Sequence, residues 1–205
     1  TEDLSDETKT TFVASINVSP LSAEPEKRGV QCFDVNEQGL IAIGQTGSQD
    51  KEICVYTSQG EFLYGYTFNC TQSFCVEWDE QHVNIYFIRS DVIISLDSDG
   101  NILDIKAVQD TIDNNSYRNS LLYSTTRTVG NTTYLIRNDM GIFNWIATSY
   151  SQIVTIDATG SESIIYDVNS MQLTKTIVTI SLICVFVFVA VAVVIWQFIK
   201  LRRGN

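Results

Sequence analysis

From Gly29 onward, short apolar runs alternate with turn residues along the chain. The runs are rich in Val, Ile, Tyr and Phe, and turn residues follow them at intervals of about 8 to 12 positions, which is typical of strands in all-β domains. No segment before residue 176 shows a sustained helical period. The pattern therefore predicts an all-β sandwich, barrel or propeller over residues 29–168, and not alternating strands and helices.

Part of this pattern occurs twice. Residues 32–44, "CFDVNEQGLIAIG", match residues 75–87, "CVEWDEQHVNIYF", in their order of apolar and polar positions. The segments that follow, 51–68 and 91–108, also correspond and share a glycine in the turn. The matched residues are Cys32 with Cys75, Asp34 with Glu77, Glu37 with Glu80, Gln38 with Gln81, and Gly60 with Gly100.

A third, weaker copy follows. "TRTVGNTTYLIRN" at residues 126–138 contains the first turn, and "IVTIDATGSESIIYDV" at residues 153–168 contains the last. Each copy predicts four strands. A repeated four-stranded unit of about 40 residues is the sequence signature of a β-propeller blade, whose small sheet must stack on its neighbours to bury both faces.

The pattern "FDVNEQGLIAIG" followed by "ICVYTSQGEFLYGY" resembles blades of NHL-type and related β-propellers. It also resembles uncharacterised membrane-anchored propeller-like proteins of Gram-positive gut bacteria. The resemblance covers residues 29–168 and implies a propeller-like array of about three four-stranded blades. Its motifs are structural, so it implies no catalytic residues.

Three blades do not close a ring, and the sequence leaves three explanations open. N-terminal blades could be missing, since the chain begins at Thr1 and not at Met. Two copies could join as half-rings, or the three sheets could form an open stack or a sandwich. Because an open stack exposes unpaired strand edges, we expect truncation or homo-oligomer formation.

The segments that flank the β domain differ from it in composition. Residues 1–28 are acidic, contain both prolines and predict a linker with one strand at residues 12–18. Residues 169–175 are interpreted as a juxtamembrane linker. Residues 176–199 form a run of 24 residues without a charge, which is long enough to cross a hydrocarbon core of about 30 Å as a helix.

The charges around this run predict its orientation. Lys200, Arg202 and Arg203 follow it closely, whereas Lys175 is the one basic residue shortly before it. Since basic residues collect on the cytoplasmic side, residues 200–205 are predicted to be a cytoplasmic tail. The N-terminal domain is then outside the cell membrane, with Trp196 and the three tail cations as anchors in the lipid bilayer.

Charge and residue types also exclude several classes of function. The chain has 24 acidic and 13 basic residues, and this acidic balance argues against a nucleic-acid partner. His82 is the single histidine and is predicted at a turn tip, without a catalytic partner. "DSDGN" at residues 97–101 resembles the start of a calcium loop, but Val108 stands where that loop needs a glutamate. We assign no catalytic, cofactor or metal site.

The five cysteines divide between the span and the β domain. Cys184 lies in the predicted span, and four remain outside it. In an oxidising compartment these four allow three disulfide pairings. The matched positions of Cys32 and Cys75 instead favour free thiols buried in the core, with Cys70 and Cys75 as the pair to check.

The segment "NDMGIFNWIATSYS", residues 138–151, interrupts the third copy and is rich in aromatic residues. Phe143, Trp145 and Tyr150 form a candidate recognition loop for a protein partner, because aromatic side chains supply large contact area. The alternatives are that Ile142, Phe143 and Trp145 pack back over the sheet or that they form part of a further strand.

These observations predict a single-pass membrane-anchored binding or scaffolding module without catalytic activity. One alternative is an accessory sensor subunit that couples binding to a membrane partner through its helix. The other is a hydrolase with a carboxylate site in a central propeller pocket, although no pair of acidic residues has a spacing that selects such a mechanism.

Overall fold

The computed structural model describes residues 1–45, 47 and 50–203. Within these residues the fold is mostly β, with three antiparallel sheets and one long C-terminal apolar helix. The strands are β1 Glu2–Asp3, β2 Ser19–Pro20, β3 Val30–Val35, β4 Ile41–Gln45, β5 Asp50–Tyr56, β6 Phe62–Asn69, β7 Phe74–Asp79, β8 His82–Phe87, β9 Val92–Leu96, β10 Ile102–Ala107, β11 Thr126–Val129, β12 Thr132–Arg137, β13 Gln152–Ile156 and β14 Glu162–Asp167. The helices are α1 Asp6–Ile16, α2 Ile112–Tyr123, α3 Asn169–Arg203 and a 3-10 helix, Gly141–Ile146.

Each sheet is built around four consecutive strands that pair with their neighbours in chain order. Sheet 1 contains β3 to β6 and gains β2 at its β6 edge, and sheet 2 contains β7 to β10 and gains β1 at its β10 edge. Sheet 3 contains β11 to β14 alone. These are the strand groups that the sequence pattern predicts for its three copies.

The hairpin between the third and fourth strands has the same turn in all three sheets. Gly60, Gly100 and Gly160 close these turns with φ angles of 83°, 84° and 82°, which L-residues with a side chain rarely adopt. In sheet 2, Asp97 Oδ1 accepts hydrogen bonds from the backbone N–H groups of Asp99 (3.0 Å) and Asn101 (2.8 Å). Hydrogen bonding from Asn101 lowers the pKa of Asp97. The "DSDGN" carboxylate therefore stabilises a hairpin turn.

Sheet 1 lies between the other two sheets, because its strands alternate in the face to which they direct apolar side chains. Ala42, Ile53, Val55, Tyr66 and Phe68 pack with residues of sheet 2. The opposite face packs with sheet 3 through Phe33, Ile41, Ile43, Cys54 and Tyr56. Both faces of sheet 1 are thus covered within one chain.

This order of sheets differs from the order of the chain. In an array stacked in chain order, each unit contacts its sequence neighbours, so sheet 3 would pack on sheet 2. The outward face of sheet 2 instead carries polar pairs such as Ser95 with Asn84 (2.6 Å) and Lys106 with Asp104 (2.7 Å). The outward face of sheet 3 carries the Arg137–Glu162 ion pair (2.9 Å).

The predicted strand at residues 12–18 is wrong, because α1 occupies most of that range. Ser5 Oγ accepts the backbone N–H of Thr8 and caps the helix, with acidic residues in its first turn. Phe12 then packs edge-on against Phe87 with ring centroids 5.2 Å apart, and Ile16, one helical turn later, is buried. Helical spacing brings both side chains to the core, where Phe12 is partly buried and Ile16 is buried. These tertiary contacts therefore favour a helix in this segment.

Two further segments are helical against expectation. Thr111 caps α2 through a hydrogen bond from the backbone N–H of Asn114, and α2 packs on β7 and β3. Residues 169–175, expected to be a linker, form the first turns of α3. An Asp167 carboxylate oxygen accepts the backbone N–H of Asn169 at 2.7 Å, so a carboxylate stabilises the start of this helix.

Helix α3 is long and apolar enough to cross a membrane, by length and composition. No residue of its apolar window is buried in the protein. Its first turns contact the β domain, where Gln172 donates to Ser149. The tail residues Gly204 and Asn205 lie outside the described residues.

Candidate functional site

The first strands of the three sheets meet at one junction. Strand β3 lies against β7 on one side and contacts β11 on the other. One charged side chain from each of the three strands lies here. We call Asp34 of β3, Glu77 of β7 and Arg127 of β11 the junction.

Asp34 connects all three sheets. Its Oδ2 accepts the backbone N–H of Trp78 at 2.7 Å, and its Oδ1 accepts Nε of Arg127 at 2.6 Å. The side chains of Asp34 and Arg127 are only 12% and 16% exposed. Because a buried charge is costly without a partner, this ion pair holds sheet 3 in position against sheets 1 and 2.

Arg127 makes further contacts that use the rest of its guanidinium. Nη1 donates to the Thr126 carbonyl at 3.0 Å, and Nη2 donates to the Leu121 carbonyl at the end of α2 at 3.5 Å. The guanidinium carbon lies 5.5 Å from the centre of the Phe33 ring. These contacts and the bond to Asp34 use three of the five N–H donors of Arg127 and pack its guanidinium on a ring, so it acts as a structural group.

Glu77 accepts hydrogen bonds from two tyrosines. Tyr86 donates to Oε2 at 2.8 Å, and Tyr117 of α2 donates to Oε1. Burial, followed by the hydrogen bond to Glu77, raises the pKa of both phenols. Glu77 thereby fixes α2 on the outward face of sheet 2.

Beside the junction, the first hairpins of sheets 1 and 2 form a cleft of ≈ 530 Å³. Its rim carries two exposed carboxylates and two exposed amides, and its floor includes a half-buried tryptophan. The Nε1–H of Trp78 is buried and has no acceptor among the described residues. We call this site the hairpin cleft, and its main residues are Asp34, Asn36, Glu37, Gln38, Trp78, Glu80 and Gln81.

A second concave site lies at the other end of β3, beside the start of α3. This groove of ≈ 570 Å³ has polar and cationic groups from the β domain and apolar groups from the helix. We call it the α3 groove, and the residues used below are Arg28, Ile146, Ser149, Gln172, Lys175, Thr176, Ile180 and Ile183.

The residues of the predicted recognition loop do not form one surface. Trp145 is 84% exposed in the 3-10 helix. Phe143 is half-buried, and Tyr150 packs beside the core between sheets 1 and 3. Tyr150 also exchanges two backbone hydrogen bonds with Val30, at 2.8 and 3.0 Å. Of the three, Trp145 alone is available for a large contact.

The predicted membrane anchors lie in the last turns of α3. Trp196 is 61% exposed, and Lys200 Nζ lies 5.5 Å from the centre of its ring. Arg202 and Arg203 are the last residues of the helix that the structure describes.

The cysteines of the β domain are free and buried. Burial raises the pKa of Cys54 and of Cys75 to about 12. A nucleophilic thiol needs a lowered pKa and access to solvent, so these thiols act as packing groups.

No model of a known protein family matches this chain, and a search of curated proteins returned no match. We therefore infer the sites from the geometry of this chain.

Proposed function

We propose that this chain is a single-pass membrane protein whose β domain is an extracytoplasmic binding module without catalytic activity. The observation that carries the proposal is the position of the hairpin cleft. Strand β3 runs from the α3 groove to this cleft, and its six residues cover about 20 Å at 3.3 Å per residue. If α3 spans a membrane, we expect the cleft to face away from the bilayer, because it lies at the end of β3 opposite the start of α3.

We further infer that the three sheets are blade-like units of the kind found in NHL-type propellers. The shared glycine turn of their third hairpins supports this relation. The units stack with sheet 1 in the middle, and the polar outward faces of sheets 2 and 3 resemble the polar caps that end repeat arrays.

The orientation follows from the flanking charges. The cations Lys200, Arg202 and Arg203 favour the cytoplasmic side. Residues 1–175 carry 24 acidic and ten basic residues, and this domain is then the extracytoplasmic part.

The state of the junction carboxylates argues against a hydrolase site at the junction. Asp34 is paired with Arg127, and Glu77 accepts two phenol hydrogen bonds. A hydrolase of the two-carboxylate type needs one acid and one base free to reach the substrate. At the junction, both carboxylates already have structural partners.

The chemistry of the hairpin cleft favours a cationic ligand, such as a lysine- or arginine-rich segment. Glu37 and Glu80 are exposed and form no ion pair among the described residues. Trp78 offers an aromatic surface nearby, and cations bind to indole faces.

The test is binding of an arginine-rich peptide to the full chain in lipid nanodiscs. The double variant Glu37→Gln/Glu80→Gln should weaken binding about five- to tenfold, since each exposed charge pair contributes up to about 1 kcal/mol. The matched control, Glu61→Gln/Asp99→Asn, removes the same charge from hairpin turns outside the cleft. Equal weakening by both pairs would show attraction to net charge and contradict a cleft site.

The direct connection of α3 to the domain supports a sensor subunit as a second candidate. Helix α3 begins two residues after β14 and is held by the hydrogen bond between Gln172 and Ser149. Movement of sheet 3 is thereby coupled to the helix. A peptide-induced change in thiol labelling at Cys184, absent in the Glu37→Gln/Glu80→Gln variant, would support this candidate.

A further inference from the structure

The 3-10 helix Gly141–Ile146 presents two large apolar side chains to solvent. Ile142 is 79% exposed and Trp145 is 84% exposed. They are three residues apart, and side chains at this spacing in a 3-10 helix lie one above the other. The segment therefore presents one small apolar surface.

The α3 groove places this surface beside the start of the span. Ile146 and Ser149 contribute to one wall of the groove, and Thr176, Ile180 and Ile183 contribute to the other. The last three belong to the uncharged run of residues 176–199. If α3 crosses a bilayer, the end of the 3-10 helix lies at the depth where the helix enters it.

The residues that line the groove change from cationic and polar to apolar along α3. A bilayer changes in the same order from its headgroups to its acyl chains. The end of the groove beside the first turns of α3 contains the cations Arg28 and Lys175 and the polar side chain of Gln172. Gln172 Oε1 is buried without a partner among the described residues. The end further along α3 contains Ile180 and Ile183. Lipid phosphates, glycerol esters and acyl chains follow one another in the same order, and basic side chains near a membrane favour anionic lipids.

We propose that the 3-10 helix is a second membrane contact, which inserts Ile142 and Trp145 into the interfacial layer of the leaflet that α3 enters. Arg28 and Lys175 face the lipid headgroups of that leaflet. Tryptophan is enriched at this depth because its ring is amphipathic. This inference rests on the proposed membrane span, and it assigns Trp145 to the bilayer and not to a protein partner.

The contact has a consequence for the domain. A single helix leaves an attached domain free to tilt, whereas two contacts restrict its tilt. With Trp145 and α3 both at the bilayer, the hairpin cleft is held facing away from the membrane. The second contact therefore supports the binding role of the cleft.

The three tryptophans of the chain provide the test. Three full-length proteins, each retaining Trp78, Trp145 or Trp196 with phenylalanine at the other two positions, are placed in nanodiscs, one chain per disc. The discs contain either ordinary phosphatidylcholine or phosphatidylcholine brominated near the top of its acyl chains. Since interfacial indoles lie at headgroup level, brominated lipid should reduce emission from Trp145 and Trp196 about twofold and leave Trp78 unchanged.

The outcomes separate this inference from the proposed span. If brominated lipid quenches Trp196 but reduces the emission of Trp145 no more than that of Trp78, the second contact is overturned and the span remains in place. Absence of quenching at both Trp145 and Trp196 contradicts the span itself. Quenching of all three would mean that the domain is unfolded on the lipid, which also overturns the inference.

A second measurement avoids dependence on tryptophan substitutions. In a Cys184→Ala background, Ile142→Cys is compared with Ile112→Cys, whose isoleucine is 85% exposed on α2. An environment-sensitive dye at position 142 should shift to shorter wavelength when detergent is replaced by bilayer, and a dye at position 112 should not. Equal shifts at the two positions would overturn the inference.

Discussion

Each end of strand β3 has an acidic side chain near an arginine, but the two pairs differ in distance and in hydrogen bonding. At its C-terminal end, the junction buries an acid and a base that satisfy one another within 2.6 Å. At its N-terminal end, beside the α3 groove, Arg28 and Glu52 approach only to 3.6 Å, and Glu52 Oε2 accepts no hydrogen bond from a described residue. Large apolar side chains are exposed near the second end, at Ile142 and Trp145.

This difference separates groups that hold the fold from groups that remain available. Buried charges with complete partners stabilise one arrangement of sheets. Unpaired polar atoms and exposed apolar side chains indicate a surface with a further contact. The junction therefore contributes to the stability of the domain, and we propose that the α3 groove contributes to its attachment to the membrane.

Loss of Arg127 should have the largest effect. Arg127→Met leaves Asp34 buried without its cation, and breaking a buried pair in this way costs about 3 to 5 kcal/mol. The control is Arg137→Met, which removes an arginine whose partner Glu162 is 48% exposed and should cost less than about 1 kcal/mol. Urea unfolding in detergent, followed by Trp78 fluorescence in a chain with phenylalanine at positions 145 and 196, measures both.

A second variant tests the cause of that loss. Asp34→Asn/Arg127→Met removes both charges and keeps an acceptor for the Trp78 N–H. It should be more stable than Arg127→Met alone. If the double variant is as unstable as the single one, the loss comes from packing of the arginine stem and not from an uncompensated charge.

Substitution of two glycines compares side-chain packing in the core with packing beside the α3 groove. A Cβ at Gly44 would lie 2.8 Å from the Phe74 ring between sheets 1 and 2, so Gly44→Ala should cost about 1 to 3 kcal/mol through overpacking. A Cβ at Gly29 would meet Ser149 and the end of the Gln172 side chain. Gly29→Ala should move Gln172 and loosen α3.

Hydrogen exchange can distinguish the two glycine variants. Gly44→Ala should increase exchange throughout the strands of sheets 1 and 2, because it lowers the free energy of unfolding of the core. Gly29→Ala should increase exchange mainly in the first turns of α3, residues 169–175. Global loss of protection in Gly29→Ala would show that the α3 groove is part of the core.

The smallest effect is expected at Glu52. Burial raises its pKa above the ordinary value of 4.5, so the folded state disfavours the charged form and the cost is present at neutral pH. Glu52→Gln should therefore raise the free energy of unfolding at pH 7, by at most about 1 kcal/mol. The gain should disappear as the pH falls below 4.5, and a gain that persists there would contradict this explanation.

Much of the β domain is predictable from the sequence, because strand patterning is local. The alternation of apolar residues and the glycines at positions 60, 100 and 160 predict the three strand groups and their third hairpins. Helices α1 and α2 were missed since their sequence signals are weak. Ser5 and Thr111 are capping residues, but α1 has few apolar residues and α2 has none that is buried.

The candidate sites are less predictable, because they join residues far apart in the chain. The sequence aligns Asp34 with Glu77 but gives no sign that Arg127, 93 positions after Asp34, completes the junction. Trp145 stands out in the sequence as an aromatic residue in an irregular segment. Its neighbour Ile146 lines the same groove as Thr176 and Ile180, and this position depends on how sheet 3 holds the start of α3.

Residue order within a few positions is enough to predict the strand groups, their turns and an apolar helix long enough to cross a membrane. The position of sheet 1 between sheets 2 and 3 follows instead from tertiary packing. So does the placement of the hairpin cleft and the α3 groove at opposite ends of β3. Packing of apolar faces and pairing of buried charges depend on distances in space, which local sequence patterns do not encode.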